Sequence, residues 1–150
     1  MAKDFNTKAY TAPTNIYMVN GPGYAGECTT YAWGRAYEKL GYSKMKNLPN
    51  KMAKSWYNAS HGYSKGQIPQ ANSIACFTGE SGHVVFVERL SGDGKMIYFS
   101  EANWYNDDRC GDGYWDPAPE GTDGTTQSLT VEDFKERSDK LTFQGFIYLA

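Results

Sequence analysis

Apolar and polar positions alternate along this chain with two different periods, and the change of period divides it. From residue 28 to 40 the repeat is near 3.6: Ala32, Ala36 and Leu40 share one stripe. This predicts a helix over 28–40, stopped by Gly41 in the position after the last turn. Gly34 inside it costs some stability and allows close packing. A second helix is predicted from Pro49 or Asn50 to Ala59, with Met52, Ala53 and Trp56 as its apolar face. After His61 and Gly62 the period drops to two, and 73–77, 83–90 and 96–100 read as strands. Ser91-Gly92-Asp93-Gly94 joins the last two as a hairpin. In its first strand His83, Val85 and Val87 face one side, and Val84, Phe86 and Glu88 the other.

Residues 1–26 read as an irregular lead-in, and 105–128 as a polar loop rich in Gly and Asp. Thr130-Val131-Glu132-Asp133 resembles a capped helix start, with Asp in place of the usual Glu or Gln. Residues 141–149 read as a final strand. Helices first and an antiparallel sheet afterwards make the class α+β. No repeat or linker divides the chain, so one domain is expected over 1–150.

Composition narrows the picture. A chain of 150 residues, 40% of them apolar, with 12 Tyr, 7 Phe and 4 Trp, has enough apolar material for a packed core. A net charge of -2 gives no basic footprint, so nucleic acid is not an expected partner. No stretch approaches the length of a membrane span, and Met1-Ala2-Lys3-Asp4-Phe5-Asn6 lacks the apolar core of a secretory signal. Three cysteines cannot all pair within one chain. Cys76, in Ile74-Ala75-Cys76-Phe77, reads as a small buried hydrophobe, and Cys110 as a loop thiol; a Cys76–Cys110 bridge is the alternative. No Cys-x-x-Cys pair suggests a zinc site.

The third cysteine, Cys28, carries the chemistry. It follows the loop Asn20-Gly21-Pro22-Gly23 and opens the predicted helix. The positive end of the helix dipole and the unpaired N–H groups there favour thiolate, the nucleophilic form. The backbone N–H of Cys28 is placed to donate to an oxyanion. His83 opens an apolar strand, and Glu101 follows 18 residues later, past the hairpin. A Cys before a helix, a His opening a strand and an acid closing the next are the parts of a Cys-His-acid hydrolase. Glu101 would accept the imidazole N–H and fix its tautomer; Asn103 is the alternative orienter or a fourth member. Glu88 lies on the opposite strand face from His83, and His61 reads as an exposed histidine at a helix exit. Tyr24 and Trp104 flank the motifs and are candidates either for a substrate groove or for packing. Asp107, Asp108 and Asp112 read as a solvated loop, without the spacing of an EF-hand.

Three segments, Glu27-Cys28-Thr29-Thr30-Tyr31-Ala32-Trp33, Gly82-His83-Val84-Val85-Phe86-Val87-Glu88 and Ser100-Glu101-Ala102-Asn103-Trp104, together resemble the CHAP domain. This is the cysteine- and histidine-dependent amidohydrolase/peptidase of bacterial and phage cell-wall lysins. The resemblance implies a papain-like fold and cleavage of a peptidoglycan amide bond, either the muramoyl–alanine amide or one within the stem or cross-bridge peptide. It implies a phage endolysin or its catalytic domain, made in the host cytoplasm and acting on the wall after release. Bacterial peptidoglycan is then the partner, with no membrane partner. The chain would be a monomer, alone or joined to a separate cell-wall-binding domain or subunit. Where the family usually carries Gln, this chain has Glu27, whose carboxylate would oppose thiolate formation if it faced the sulfur. Some relatives carry a calcium loop ahead of the nucleophile; residues 19–24 hold no acid, so neither metal nor cofactor is expected. Two rivals stand beside the hydrolase: a non-catalytic wall- or glycan-binding module on the same fold, and a transglutaminase-like acyl transferase.

Overall fold

A computed structural model describes residues 28–79, 82–101 and 126–150. The lead-in and most of the polar loop expected from the sequence lie outside these residues. So do Tyr24, Glu27, Asn103, Trp104, the Asp107–Asp112 stretch and Cys110.

Helix α1 runs over Cys28–Leu40, as its 3.6 repeat predicts. Gly41 ends it in a left-handed conformation, φ 82°, and donates its N–H to the Tyr37 carbonyl at 2.9 Å. One further turn, α2 (Tyr42–Met45), follows directly and buries Met45. The second helix expected over 50–59 is not formed. A single 3-10 turn, Ala53–Ser55, stands in its place. Met52 is extended and 57% exposed, whereas Ala53 and Trp56 are buried. Trp56 donates its indole N–H back to the Lys51 carbonyl at 3.0 Å. Seating that large ring decides the local path, and Asn58, Ser60 and Gly62 supply little helical propensity against it.

Among the described residues the strands are β1 (Lys65–Gly66), β2 (Ser73–Thr78), β3 (His83–Leu90), β4 (Met96–Ser100), β5 (Gln127–Thr130) and β6 (Thr142–Tyr148). They form a six-stranded sheet in the order β1-β6-β2-β3-β4-β5, every neighbouring pair antiparallel. Helix α3 (Val131–Lys135) leaves β5, with the Thr130 side chain accepting the Asp133 N–H at 3.1 Å. The class is α+β, with helix α1 packed on an antiparallel sheet. β1 and β5 are short polar edge strands, invisible to a reading based on apolar alternation.

Both faces of the sheet centre are covered. Ile74, Cys76, Val84, Phe86 and Ile147 pack against Ala32, Trp33 and Ala36 of α1, with Met45, Ala53 and Trp56. On the other face Ala75, Phe77, Val85, Val87, Ile97, Phe99 and Phe146 pack around Phe134 of α3. This is why β2 and β3 read as near-continuous apolar runs. No helix among the described residues is long and apolar enough to cross a membrane.

Candidate active site

Cys28 is the first residue of α1, and the helix is buried continuously from Cys28 to Ala36. Its sulfur is therefore held at a helix N-terminus against the sheet, beside backbone N–H groups that have no carbonyl within the helix. Cys28 carries a free thiol that lies close enough to His83 to act on its ring.

His83 owes its place to Gly82. That glycine has φ +74°, and a Cβ on it would lie 2.5 Å from the Lys54 backbone nitrogen. Only glycine fits both the left-handed backbone and the close approach of the 3-10 turn. The chain then enters β3 with His83 buried, its ring 6.4 Å from that of Phe77.

A bulge brings Glu101 to His83. At the hairpin end, Leu90 pairs with Ile97 and Arg89 with Tyr98; past Glu88 the register changes, and Val87 pairs with Phe99 and Phe86 with Ser100. Without that extra residue, Glu101 would continue the first register opposite Phe86, on the face turned to α1. With it, Glu101 falls opposite Val85, on the face of His83 and diagonal to it, within reach of a long side chain. The Oε1 of Glu101 lies 2.9 Å from Nε2 of His83. Nε2 thus carries its hydrogen toward the carboxylate, and Nδ1 is the ring nitrogen left to face the sulfur. The result is a line from thiol to imidazole to carboxylate.

Electrostatics follow from burial and partners. For His83, burial is the largest influence and disfavours the charged ring. The charge and hydrogen bond of Cys28, with those of Glu101, outweigh it and raise the pKa above the usual range. Burial likewise favours neutral Glu101. The hydrogen bonds and charges of His83 and Arg137 outweigh it and hold the carboxyl below its ordinary value. The site is built to carry an ionised carboxylate beneath an imidazolium.

Cys28, His83 and Glu101 are thus brought together, whereas the other named candidates, Asn103, Tyr24 and Trp104, lie outside the described residues. His61 is buried rather than exposed: its Nδ1 accepts the Tyr63 N–H at 3.1 Å, and burial, then Lys65, lower its pKa. The reason is the chain path around Trp56, which has no helix exit to expose it. Glu88 faces α1, where it accepts two bonds from Arg35 at 2.8 Å and one from Ser100 at 2.6 Å. Cys76 carries a free thiol, pushed far up in pKa by burial. Among the described residues, no group of His, Cys, Asp and Glu is suited to hold a metal ion.

Sequence reasoning missed Arg137 and Gln127. Arg137 donates to both oxygens of Glu101, each at 2.7 Å, and Gln127 donates to Oε2 at 3.0 Å. Neither has a local signal. Arg137 sits in a charged run, Lys135-Glu136-Arg137, and Gln127 in a polar edge strand.

Comparison with known proteins bears on the fold and on the family. A solved structure described as Ly7917 is 16% identical, with a TM-score of 0.51 over 93% of this chain and 60% of its own. An N-acetylmuramoyl-L-alanine amidase from Staphylococcus aureus is 22% identical, with a TM-score of 0.47 over 80% of this chain and 31% of its own. The chain therefore spans less than two thirds of either structure. At such identity the first likeness speaks for the fold. No curated protein matches the sequence. A model of the CHAP domain family matches residues 19–103, more than half of the chain and the stretch that holds Cys28, His83 and Glu101, and the chain belongs to that family.

Proposed function

We propose that this chain is a peptidoglycan hydrolase that cleaves a cell-wall amide through Cys28, His83 and Glu101. The observation that carries the reading is the meeting of Cys28, at the start of a buried helix, with a His83 ring held 2.9 Å from the Glu101 carboxylate, in a CHAP domain.

The chemistry runs as follows. The Cys28 thiolate attacks the amide carbonyl carbon, and the carbonyl π electrons move onto oxygen. The Cys28 backbone N–H, at the helix start, donates to that oxygen. The imidazolium of His83 gives its Nδ1 proton to the departing amine as the C–N bond breaks, leaving a thioester. Water then attacks the thioester while neutral His83 takes its proton, and the Cys28 sulfur leaves as thiolate with His83 protonated again. Glu101 accepts the Nε2–H throughout, holding the ring in one tautomer and stabilising its charged form.

The setting we infer is a phage endolysin or its catalytic domain, with wall targeting supplied by a further domain or subunit. Digestion of purified peptidoglycan, with mass spectrometry of the released fragments, tests the activity and identifies the bond. Cys28→Ala should fold and release no fragments. Wall clearing by Cys28→Ala at the wild-type rate would refute the covalent role. Unchanged wall binding with no cleavage by the wild type would favour a binding module instead.

A further inference from the structure

We propose that Arg137 is a positioning residue of this site, fixing the direction and charge of the carboxylate that holds His83. The inference rests on the hydrolase reading above and adds a residue from beyond the family match, which ends at residue 103.

The carboxylate of Glu101 is almost fully enclosed, at 1% side-chain exposure. A buried carboxylate takes up a proton unless its oxygens are satisfied by strong donors. Here Oε1 accepts from His83 and from one Arg137 terminal nitrogen, and Oε2 from the other and from Gln127. A guanidinium is the one side chain that grips both oxygens in a planar fork and cannot be deprotonated. The fork is itself held: Arg137 lies 4.8 Å from the Phe99 ring centroid and 5.6 Å from that of Phe134, two buried residues of the second core layer. Its direction therefore comes from the core, and it hands that direction to Glu101.

Charge distinguishes this role from a packing role. Among the described residues, the charged groups facing Glu101 are His83 from β3 and Arg137 from the segment after α3, with Cys28 of α1 beyond His83. The line of Cys28, His83 and Glu101 therefore ends on the fixed positive charge of Arg137. Removing the fixed guanidinium charge raises the proton affinity of every group in that line. Both limbs of the pH profile of Cys28 reactivity should then move to higher pH. A loss of packing alone would lower the rate and leave the limbs in place.

The test is the rate of iodoacetamide alkylation at Cys28 against pH, read by peptide mass spectrometry on the full chain. Wild type, Arg137→Met, Arg137→Gln and Arg137→Lys are compared, with His83→Ala as the control for the reading beneath. Arg137→Met should shift the acid limb up by about one pH unit, a roughly tenfold fall in rate on that limb. Arg137→Lys keeps the charge and loses the fork, so it should retain the limbs and lose only amplitude. Arg137→Gln keeps donors without charge; it decides the matter if Arg137→Met does not fold, and should shift as the Met variant does. Limbs of both neutral variants that coincide with wild type, while His83→Ala abolishes the enhanced reactivity, would overturn the role of Arg137 alone. Reactivity unaffected by His83→Ala would overturn the hydrolase reading and this inference together.

Discussion

The ion pair between Arg35 and Glu88 makes a demanding test of how the site is held. Arg35 sits two turns after Cys28 on α1, and Glu88 is the extra residue of the β3 bulge that turns Glu101 toward His83. Their side chains are 9% and 7% exposed, so solvent screens them little. Breaking such a buried pair from one side costs about 3–5 kcal/mol, because the remaining charge is stranded. Partial rescue is available on each side here. Arg35 keeps Glu38 at 2.9 Å, and Glu88 keeps Ser100 at 2.6 Å and Lys39 at 3.8 Å. Arg35→Met and Glu88→Leu should therefore each cost roughly 3 kcal/mol, the low end of that range. The double variant strands no charge and should lose about 1 kcal/mol or less, since apolar replacement of a buried pair is often neutral.

Urea unfolding of the four proteins, extrapolated linearly to water, gives the cycle. Single losses below about 1 kcal/mol, the range of exposed pairs, would refute the claim that this pair is buried and unscreened. The double variant carries a second test. It regains stability but lacks the carboxylate that ties the bulge to α1 and to Ser100. Cys28 alkylation should then fall although the fold is stable. Wild-type reactivity in a stable double variant would mean that packing of Val87 and Leu90 against Phe99 and Ile97 sets the bulge without the ion pair.

Three further outcomes follow from the geometry. His83→Ala should remove most of the neutral-pH reactivity of Cys28 toward iodoacetamide, whereas His61→Ala, assayed well below its melting temperature, should leave it nearly unchanged; the reverse pattern would exchange their roles. Gly82→Ala should cost at least about 1–3 kcal/mol from the left-handed backbone alone, plus the displacement of Lys54, and should slow Cys28 alkylation by moving His83; a melting temperature and reactivity equal to wild type would refute it. The pH dependence of stability has a fixed sign. The raised pKa of His83 gives stability that is complete below about pH 6.5 and is lost as pH rises through the folded value; the lowered pKa of Glu101 gives stability complete above about pH 4.3 and lost as pH falls through its own. Melting temperature should therefore peak between about pH 4.3 and 6.5 and decline on both sides, and Glu101→Gln should flatten both declines.

How much of this is legible in the sequence depends on whether a residue sits at the boundary of an element. Cys28 opens a helix, His83 opens a strand and Glu101 directly follows one, so periodicity and turn residues mark all three. The α1 helix and strands β3 and β4 follow from unbroken apolar patterns, and their limits agree with the structure. Where tertiary packing decides, the local signal misleads. Met52, Ala53 and Trp56 have helical spacing, yet burial of the Trp56 ring leaves a single 3-10 turn. The bulge at Glu88 is hidden for a related reason. Strict alternation puts Glu88 on the strand face opposite His83, as observed, but says nothing of the extra residue that moves Glu101 across the sheet. The support of the carboxylate is hidden most deeply. Arg137 lies 36 residues from Glu101 in a run of charges that resembles any solvated surface. What makes it different is the pair of aromatic faces beneath it, Phe99 and Phe134, which come from separate elements and meet only when the sheet closes on α3. A nucleophile and its base can be read from local chemistry because each needs a particular backbone setting. The groups that fix the charge of their partner need only arrive in the right place, and that is a property of the fold.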